Sequence, residues 1–363
     1  MTEREQQILQ LIKQDPLIAQ NDLAEKLGLS RSAVASHIMN LTRKGYIQGK
    51  GYVIAPERFA AVVGGANMDL CGRSLQSLQV GDSNPGILTS GPGGVARNIA
   101  DNLGRMGSNV QFIGAVGDDT WGLNLLDSCR DVGVNVDHCF VMPNRTTSTY
   151  LSIHDADGEM QLALNDMALI DELDQSKLAK RAQVFNRAGV IVLDANLPES
   201  ALEYLFHAHS DKAIFVDPVS GLKAHKIKPY LAHIHTLKPN LAEAEFLSGI
   251  TIDADDKLDQ VANALHEQGV KQLLISLGAK GAYSSVEGQG RFIPAPRTQV
   301  TNVTGAGDAL MAGLVHGFLN HWNWDQSVEF ALAAARLTLS ASTTINSIMS
   351  EQAVFRLIEE SSC

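Results

Sequence analysis

The chain has 363 residues, of which 45% are hydrophobic and 19% charged. This composition is typical of a globular protein with a sizeable core, and it excludes disordered, collagenous and coiled-coil chains. The formal net charge of −11 argues against nucleic-acid binding over the whole surface, but the charge is unevenly distributed. Residues 1–55 carry a net charge of +2, so the remaining residues carry −13. Length and charge together predict a small, slightly basic domain joined to a large acidic one.

The four cysteines are spread along the sequence and form neither a CxxC pair nor a Cys/His cluster. This usage predicts reduced thiols rather than a disulfide framework or a zinc site. The N-terminus lacks the apolar region of a signal peptide, and no apolar run has the length of a membrane span. We therefore expect a cytoplasmic protein without a membrane partner.

The first 45 residues predict three helices. Apolar residues recur at helical spacing over residues 3–13, again after Pro16, and again after Ser30, which is a favourable N-cap. Gly28 lies where a tight turn would connect the second helix to the third. The segment YIQGKGYVI then predicts two short strands around Gly49-Lys50-Gly51. Three helices followed by a β-hairpin resemble a small α+β winged helix-turn-helix domain over residues 1–55.

That resemblance implies DNA binding, with the third helix in the major groove. Polar side chains of this helix and of the wing suit base edges and phosphates. They are Arg31, Ser32, Ser36, His37 and Lys50. The alternative is a three-helix packing module with a solvated polar face. Since a charge of +2 gives only modest electrostatic affinity, we expect DNA binding to need a homodimer.

From Phe59 onwards, short apolar runs alternate with helical stretches. The runs are FAAVVGG, VQFIGAVG, VIVLDAN, AIFVDPVS, HIHTLKPN and QLLISLGAKGAY. This alternation predicts an α/β domain with a parallel sheet covered by helices on both faces and ligands at the carboxyl ends of the strands. The segment TTSTYLSIHDADGEMQLALND instead has period-two apolar character around residues 155–158, which predicts an inserted hairpin that could cover the site.

The segment NVTGAGDA, residues 302–309, is the strongest chemical signal. A loop of small residues runs directly into an apolar helix, so its N–H groups and the helix dipole can hold an anion. Asp308 would lie beside that anion, where a carboxylate is a poor ligand but a good general base for an attacking hydroxyl. The alternative is an ordinary helix start with aspartate as its cap.

A second loop contains Gly93 and Gly94, which let the backbone approach a ligand, and Asn98, which can bind hydroxyl groups. It is neither a Walker A loop nor a dinucleotide-binding GxGxxG. Residues 93–117 and 302–315 together resemble the two signatures of the ribokinase/PfkB carbohydrate kinase family, and the resemblance covers about residues 59–350. It implies a ribokinase-like three-layer α/β sandwich over residues 59–363, with a small β-lid near 78–92 and 146–166. It also implies an ATP-dependent kinase that uses Mg²⁺.

The resemblance further implies a role for each residue that matches a family motif. Asp308 corresponds to the catalytic base, and Gly305, Ala306 and Gly307 to the anion hole. Sugar hydroxyls are assigned to Asn67, Asp69, Gly94 and Asn98. Asn240 and Glu243 correspond to the N-x-x-E motif associated with phosphate and with magnesium held through water, although a capped helix start explains the same residues. ATP is assigned to Ser276, Gly278 and Gly281, with Asn346 in the segment expected to complete the adenine pocket.

Two positions depart from the family pattern. Asn302 stands where many relatives have aspartate, and Ser342 stands where glycine is common. In several members this region supplies ligands to a monovalent cation. The departure therefore leaves activation by K⁺ open.

The sequence of the predicted lid, with DPVS at residues 217–220, looks most similar to pseudouridine kinases and related nucleoside kinases. This similarity implies phosphorylation of a primary 5′-hydroxyl. Candidate contacts to the base or ribose are Thr149, Asn165, Asp166 and Asn196, which could instead be ordinary strand and turn residues. A ribose- or fructose-type sugar kinase is the alternative. A ligand-sensing transcription regulator is a third reading, but a sensor needs neither Asp308 nor the carboxylate of Glu243.

Overall fold

A computed structural model describes residues 1–49, 58–252, 257–296, 298 and 300–362. The chain divides into two compact units. The first consists of Met1–Arg58 with Ala182–Arg187, and the second of Phe59–Arg181 with Ala188–Cys363.

The first unit begins with helices α1 (Glu3–Gln14), α2 (Gln20–Leu27) and α3 (Arg31–Arg43). The apolar faces of the three helices meet in one core, where Ile8, Leu23 and Leu41 are fully buried. Ser30 caps α3 as predicted, because its side chain accepts a hydrogen bond from the Ala33 N–H. The predicted wing lies largely outside the described residues, and Lys50 lies outside them with it.

The remaining elements follow in chain order, and α7 among them belongs to the first unit. They are β1 (Ala60–Val63), β2 (Asn67–Ser74), β3 (Gly86–Gly93), α4 (Val95–Arg105), β4 (Val110–Ile113), β5 (Ala115–Gly117), α5 (Thr120–Asp131), β6 (Phe140–Met142), β7 (Thr149–His154), β8 (Met160–Asp166), α6 (Gln175–Ala179), α7 (Ala182–Arg187), β9 (Val190–Asp194), α8 (Glu199–Ala208), β10 (Ile214–Asp217), α9 (Gly221–Ala224), β11 (Thr236–Leu237), α10 (Leu241–Ser248), α11 (Lys257–Glu267), β12 (Gln272–Ser276), β13 (Gly281–Val286), β14 (Gln289–Pro294), α12 (Ala306–Leu319), α13 (Trp324–Leu339) and α14 (Glu351–Ser362). Short 3₁₀ turns occupy Ala168–Glu172, Lys228–His233 and Gly278–Lys280.

The main sheet has eight strands in the order β14-β13-β12-β11-β10-β9-β1-β4. Strands β4 to β12 in this order pair in parallel, and β13 and β14 continue the sheet in antiparallel pairing. Val62 and Val192 belong to the large core that α4, α12 and α13 complete, while the alternating Ala61 and Ile191 are equally buried. Since successive strand residues point to opposite faces, the sheet is covered on both sides, as the sequence predicts.

A smaller four-stranded sheet has the order β3-β2-β7-β8 and corresponds to the expected lid. The period-two segment forms the antiparallel hairpin β7–β8, with Thr149 paired to Asp166. The strand expected near residues 78–92 begins only at Gly86. Sequence patterning did not indicate β2, which follows the carboxyl end of β1 and pairs with β3 and β7.

No helix among the described residues is long and apolar enough to span a membrane.

Candidate active site

The N-terminus of α12 has the features of an anion site. Its N-cap, Gly305, has φ +84° and offers no side-chain cap to the first N–H groups of the helix. Those donors are left for a ligand, and the helix dipole adds positive potential there. At Gly307, an added Cβ would lie 3.3 Å from the Lys238 Nζ, so an ammonium group stands directly beside the same loop. The backbone and this cation together fit a phosphate group.

Asp308 lies in the first turn of α12 and is 8% exposed. Its Oδ2 accepts a hydrogen bond of 2.7 Å from the Asn98 Nδ2. Burial, and next the neighbouring carboxylate of Asp217, raise the pKa of Asp308 to about 7, against the opposing effects of Asn98, Lys238 and Arg97. A carboxylate with a pKa near neutrality can accept a proton and release it again at physiological pH.

Sequence analysis did not single out Lys238. Its Nζ lies 3.1 Å from the Asp217 Oδ2, and both side chains are buried. Burial alone would lower the pKa of Lys238, but the carboxylate of Asp217 raises it above its ordinary value. The ion pair joins the carboxyl ends of β10 and β11, and it places one fixed positive charge beside Gly307. The sequence signal that could have identified Lys238 is its position at a predicted strand end, just before Asn240.

The N-x-x-E residues form a capping box at the start of α10. The Asn240 side chain accepts from the Glu243 N–H at 2.9 Å, while the Glu243 Oε2 accepts from the Asn240 N–H at 2.9 Å. The Glu243 Oε1 also accepts from the Asn240 Nδ2 at 2.8 Å. The capped helix start is therefore present. Burial raises the pKa of Glu243, and the nearby charges of Asp217 and Lys238 act on it as well.

This arrangement suits an indirect contact with magnesium but not direct coordination. Both oxygens of Glu243 already accept hydrogen bonds, and its side chain is 3% exposed. Within the described ranges, no group of three or more His, Cys, Asp or Glu side chains is placed to hold a metal directly. A Mg²⁺ ion here would thus be held through water and phosphate oxygens, as it commonly is in phosphoryl-transfer sites.

Two of the residues assigned to ATP, Ser276 and Gly278, lie at one cavity of about 540 Å³. Asn240, Ser276, Gly278 and Lys280 line it. Gly281, the residue after Lys280, has φ +121°, and a side chain there would collide with the backbone of Ile293.

Asn346 has a different environment. Its Nδ2 donates to the carbonyl oxygen of Leu337 at 2.7 Å, and its Oδ1 accepts from the Ile348 N–H at 3.1 Å. Its amide thus fixes the backbone on either side, and its assignment to the adenine pocket stays a prediction.

The predicted sugar-binding residues lie together. The Asn67 Nδ2 donates to the Asp69 Oδ1 at 2.6 Å, and an added Cβ on Gly93 would overlap the Asp69 carboxylate. Burial raises the pKa of Asp69, opposed by Asn67 and Arg97. Gly94 has φ +97°, and a side chain there would lie 2.5 Å from the Gly65 carbonyl oxygen. Only glycine allows this close approach of the two loops.

Asp194, the last residue of β9, ties these loops together. Its buried carboxylate accepts from the N–H groups of Gly65 and Ala96 at 2.9 Å and of Asn196 at 3.0 Å. Burial raises the pKa of Asp194. The Asn196 Oδ1 accepts a hydrogen bond from the Lys223 Nζ. Asp194 is therefore the anchor from which the substrate loops are held.

The strand register separates the three candidate contacts of the lid. Asp69 pairs with Tyr150, which pairs with Asn165, so these three residues share the face that carries Asn67. Met68 pairs with Thr149, which pairs with Asp166, on the opposite face. The register therefore places Asn165 on the face of Asn67 and Asp69, and Thr149 and Asp166 on the other face.

The side chain of Asn302 bridges two loops. Its Oδ1 accepts from the Thr304 N–H at 2.9 Å, and its Nδ2 approaches the Ser342 carbonyl oxygen at 3.5 Å. An amide N–H thus points at a carbonyl oxygen in the region where several family members hold a monovalent cation.

In the first unit, Arg31, Ser32 and Ser36 are exposed on α3 and available to a partner. His37 is only partly exposed, and its Nδ1 is buried without a hydrogen-bond partner among the described residues. The exposed residues form the polar face expected of a recognition helix.

Comparison with known proteins agrees with this geometry. Residues 57–351 match the pfkB family carbohydrate kinase model, and residues 1–48 match a winged helix-turn-helix DNA-binding model. An uncharacterised sugar kinase of Escherichia coli (strain K12) is 40% identical over 359 residues, which is 99% of either chain. Pseudouridine kinase of the same organism is 40% identical over 306 residues, covering 84% of this chain and 98% of that protein.

The solved structure of Arabidopsis thaliana ribokinase complexed with ribose and ATP superposes with a TM-score of 0.76 at 22% identity. It covers 84% of this chain and 99% of that one, which establishes the shared ribokinase-like fold. With its winged helix-turn-helix region and its large α/β unit, this ATP-dependent phosphotransferase belongs to the pfkB family of carbohydrate kinases.

Proposed function

We propose that this kinase phosphorylates the 5′-hydroxyl of a nucleoside, most specifically pseudouridine. The observation that carries the proposal is the buried carboxylate of Asp308 at the uncapped start of α12, beside Lys238. A base and an anion site within one helical turn suit transfer of a phosphoryl group to a hydroxyl. The 40% identity to a pseudouridine kinase supports the choice of acceptor.

Mg-ATP, when bound, supplies the phosphoryl group. Asp308 accepts the proton of the acceptor hydroxyl as its oxygen forms the new bond to phosphorus and the bond to the ADP oxygen breaks. The free N–H groups of residues 305–307 and the ammonium of Lys238 stabilise the negative charge on the transferred group. If Mg²⁺ binds, Glu243 would contact it through water rather than directly. Each of these groups is fixed by the fold before reaction, so little reorganisation is needed.

The acceptor end of the site is polar. Asn67 and Asp69 present an amide and a carboxylate to ribose hydroxyls, and Asn165 extends the same face of the lid towards the base. A free ribose- or fructose-type sugar would use the first two residues and would not reach Asn165, whereas the base of a nucleoside could contact it.

The test is a panel of pseudouridine, uridine, other nucleosides, ribose and fructose, each incubated with Mg-ATP while ADP release is followed. We expect the highest kcat/KM for pseudouridine and loss of at least about 10³-fold in kcat for Asp308→Asn, which removes the base. Asp211→Asn, at an exposed carboxylate, is the matched control and should retain full activity. Binding of a panel member without any ADP release would show a ligand sensor instead of an enzyme. A preference for ribose or fructose would replace the nucleoside assignment.

We further propose that the first unit binds DNA and that the protein acts as a homodimer. The exposed polar residues of α3 and the winged helix-turn-helix match support the first part. For the second, Leu88, Leu162 and Leu164 lie on the lid face opposite Asp69 and are 83%, 52% and 60% exposed. Sedimentation should give twice the 39.0 kDa chain mass, and DNA from upstream of its own gene should shift in a gel at low salt. A monomer that leaves this DNA unshifted would contradict both parts.

We place the reaction in the cytoplasm. Cys71, Cys129 and Cys139 are free thiols, as expected in a reducing compartment.

A further inference from the structure

Arg97 is an arginine buried next to the catalytic carboxylate. It lies in the first turn of α4 and is 2% exposed, although an isolated guanidinium is among the groups most costly to bury. Its Nη2 donates to the Pro92 carbonyl oxygen at 2.7 Å, and its Nε to that of Gly93 at 3.3 Å. Its Nη1 donates to the Asp101 Oδ2 at 3.0 Å. The side chain is therefore held in place from three directions.

One further hydrogen bond of Arg97 fixes the orientation of the Asn98 side-chain amide. Its Nη2 also donates to the Asn98 Oδ1, while the Asn98 Nδ2 donates to the Asp308 Oδ2. A guanidinium has donors and no acceptor, so the amide can face Arg97 only with its oxygen. The amide NH₂ must then face Asp308. Without a donor-only partner, the amide could rotate and present its oxygen to the carboxylate, an arrangement that only a protonated Asp308 satisfies.

We propose that Arg97 is a positioning residue for the reaction, because it fixes the amide of Asn98 so that the carboxylate of Asp308 is held ionised and ready to accept a proton. This inference rests on the proposed role of Asp308 as the base. Arg97 itself touches neither the reacting atoms nor the acceptor. It acts through Asn98, and its own position is set by the backbone at the end of lid strand β3 and by Asp101, which also accepts from the Arg105 Nε at 2.6 Å.

Other charges also face Asp308 and must be separated from this effect. Asp217, at the end of β10, disfavours ionisation, whereas Lys238, after β11, and Arg97, on α4, favour it. Substitution of Arg97 therefore removes a positive charge as well as an orienting donor. A double-mutant cycle with Asn98 distinguishes the two, since only the orienting effect requires the amide.

The experiment measures kcat/KM for pseudouridine, or for the best acceptor of the panel, at saturating Mg-ATP from pH 5.5 to 9. In a plot of kcat/KM against pH, the fall on the acidic side reports the pKa of the base. Arg97→Met should raise this apparent pKa by about one unit, the shift produced by losing one hydrogen bond to a charged group. Activity should then fall about tenfold at the acidic end and much less above pH 8.5. Arg105→Met is the matched control, since it removes a guanidinium from the same Asp101 without touching Asn98, and its apparent pKa should not move.

In the cycle, Asn98→Ala should shift the apparent pKa by a similar amount, and Arg97→Met should add little in that background. Equal shifts in both backgrounds would overturn the proposal, because the effect would then be charge alone. The proposal would also be overturned if folded Arg97→Met showed the same pH dependence of kcat/KM as the wild type. If that variant does not fold, Arg97→Lys serves instead. Lysine has a single nitrogen and cannot reproduce the contacts that the Nε, Nη1 and Nη2 of Arg97 make with Gly93, Asp101 and Asn98, so a smaller upward shift is expected and no shift refutes the inference. Full activity of Asp308→Asn would instead refute the proposed base.

Discussion

The proposed anion site at the start of α12 can be tested with two glycines that have the same positive φ. Gly305 and Gly107 both have φ +84°. At Gly107, an added Cβ would meet nothing within 4 Å. At Gly305, it would overlap the Thr344 carbonyl oxygen and lie 2.9 Å from the Thr344 Cγ2. The alanine variants therefore share the same left-handed strain and differ in the steric clash at the anion site.

The shared strain should cost each variant about 1–2 kcal/mol of stability, since an L-residue disfavours this conformation by that amount. For Gly107→Ala this is the whole effect, and kcat should remain that of the wild type. In Gly305→Ala the loop has to move away from Thr344, which displaces the N–H groups of the anion site. Loss of one preorganised donor lowers kcat by about 10²–10³-fold. We therefore expect at least a 100-fold loss in this variant.

The assay is ADP release under saturating substrates, with urea denaturation of both variants to measure the shared strain. If Gly305→Ala retained the kcat of Gly107→Ala, the N-terminus of α12 would not stabilise the transferred phosphoryl group. A loss of activity in both variants would mean that strain alone, transmitted through the fold, explains the result.

Three further predictions concern charge. Lys238→Met should lower kcat by at least about 100-fold, because it removes the ammonium proposed to stabilise the transferred group. It should also reduce the melting temperature, because it leaves the carboxylate of Asp217 buried and unpaired. The double variant with Asp217→Asn should recover the melting temperature but not kcat. Because the pKa of Asp308 is raised to about 7 and the base must be ionised, kcat/KM should fall about tenfold per pH unit below pH 7 and level off above it. Arg31→Ala should weaken DNA binding and reduce its salt dependence, measured by fluorescence anisotropy across a salt series, whereas Arg4→Ala on α1, whose guanidinium contacts Gln7, should not.

The parts of the molecule that sequence predicts well are those encoded by neighbouring residues. Strands of the main sheet are visible in the sequence as apolar runs. The loop before α12 has its glycines and Asp308 within one short segment. The same holds for α3, where Ser30 and the apolar residues behind it specify the helix locally. In each case the relevant interactions form within a few positions of one another.

The parts that sequence does not reveal depend on distant partners. Arg97 has the appearance of an exposed helical residue, and its burial follows only from the packing of α4 under the lid. The pKa of the buried Lys238 is raised because the carboxylate of Asp217, on another strand, faces it. Strand β2 lacks a clean period of two because consecutive residues at its start, Asn67 and Met68, are both buried although they point to opposite faces. Which face Thr149 occupies depends on register, and a shift of one residue would reverse it.

The three N–H groups that converge on Asp194 have a thermodynamic consequence. They belong to the turn after β1, the start of α4 and the end of β9. Releasing any one of these segments leaves the others bound to a buried carboxylate that has lost part of its solvation, so opening them separately is unfavourable. Amide hydrogen exchange at Gly65, Ala96 and Asn196 should therefore proceed with a common opening free energy. The floor of the acceptor site behaves as one cooperative unit, while the lid strands above it remain free to exchange on their own.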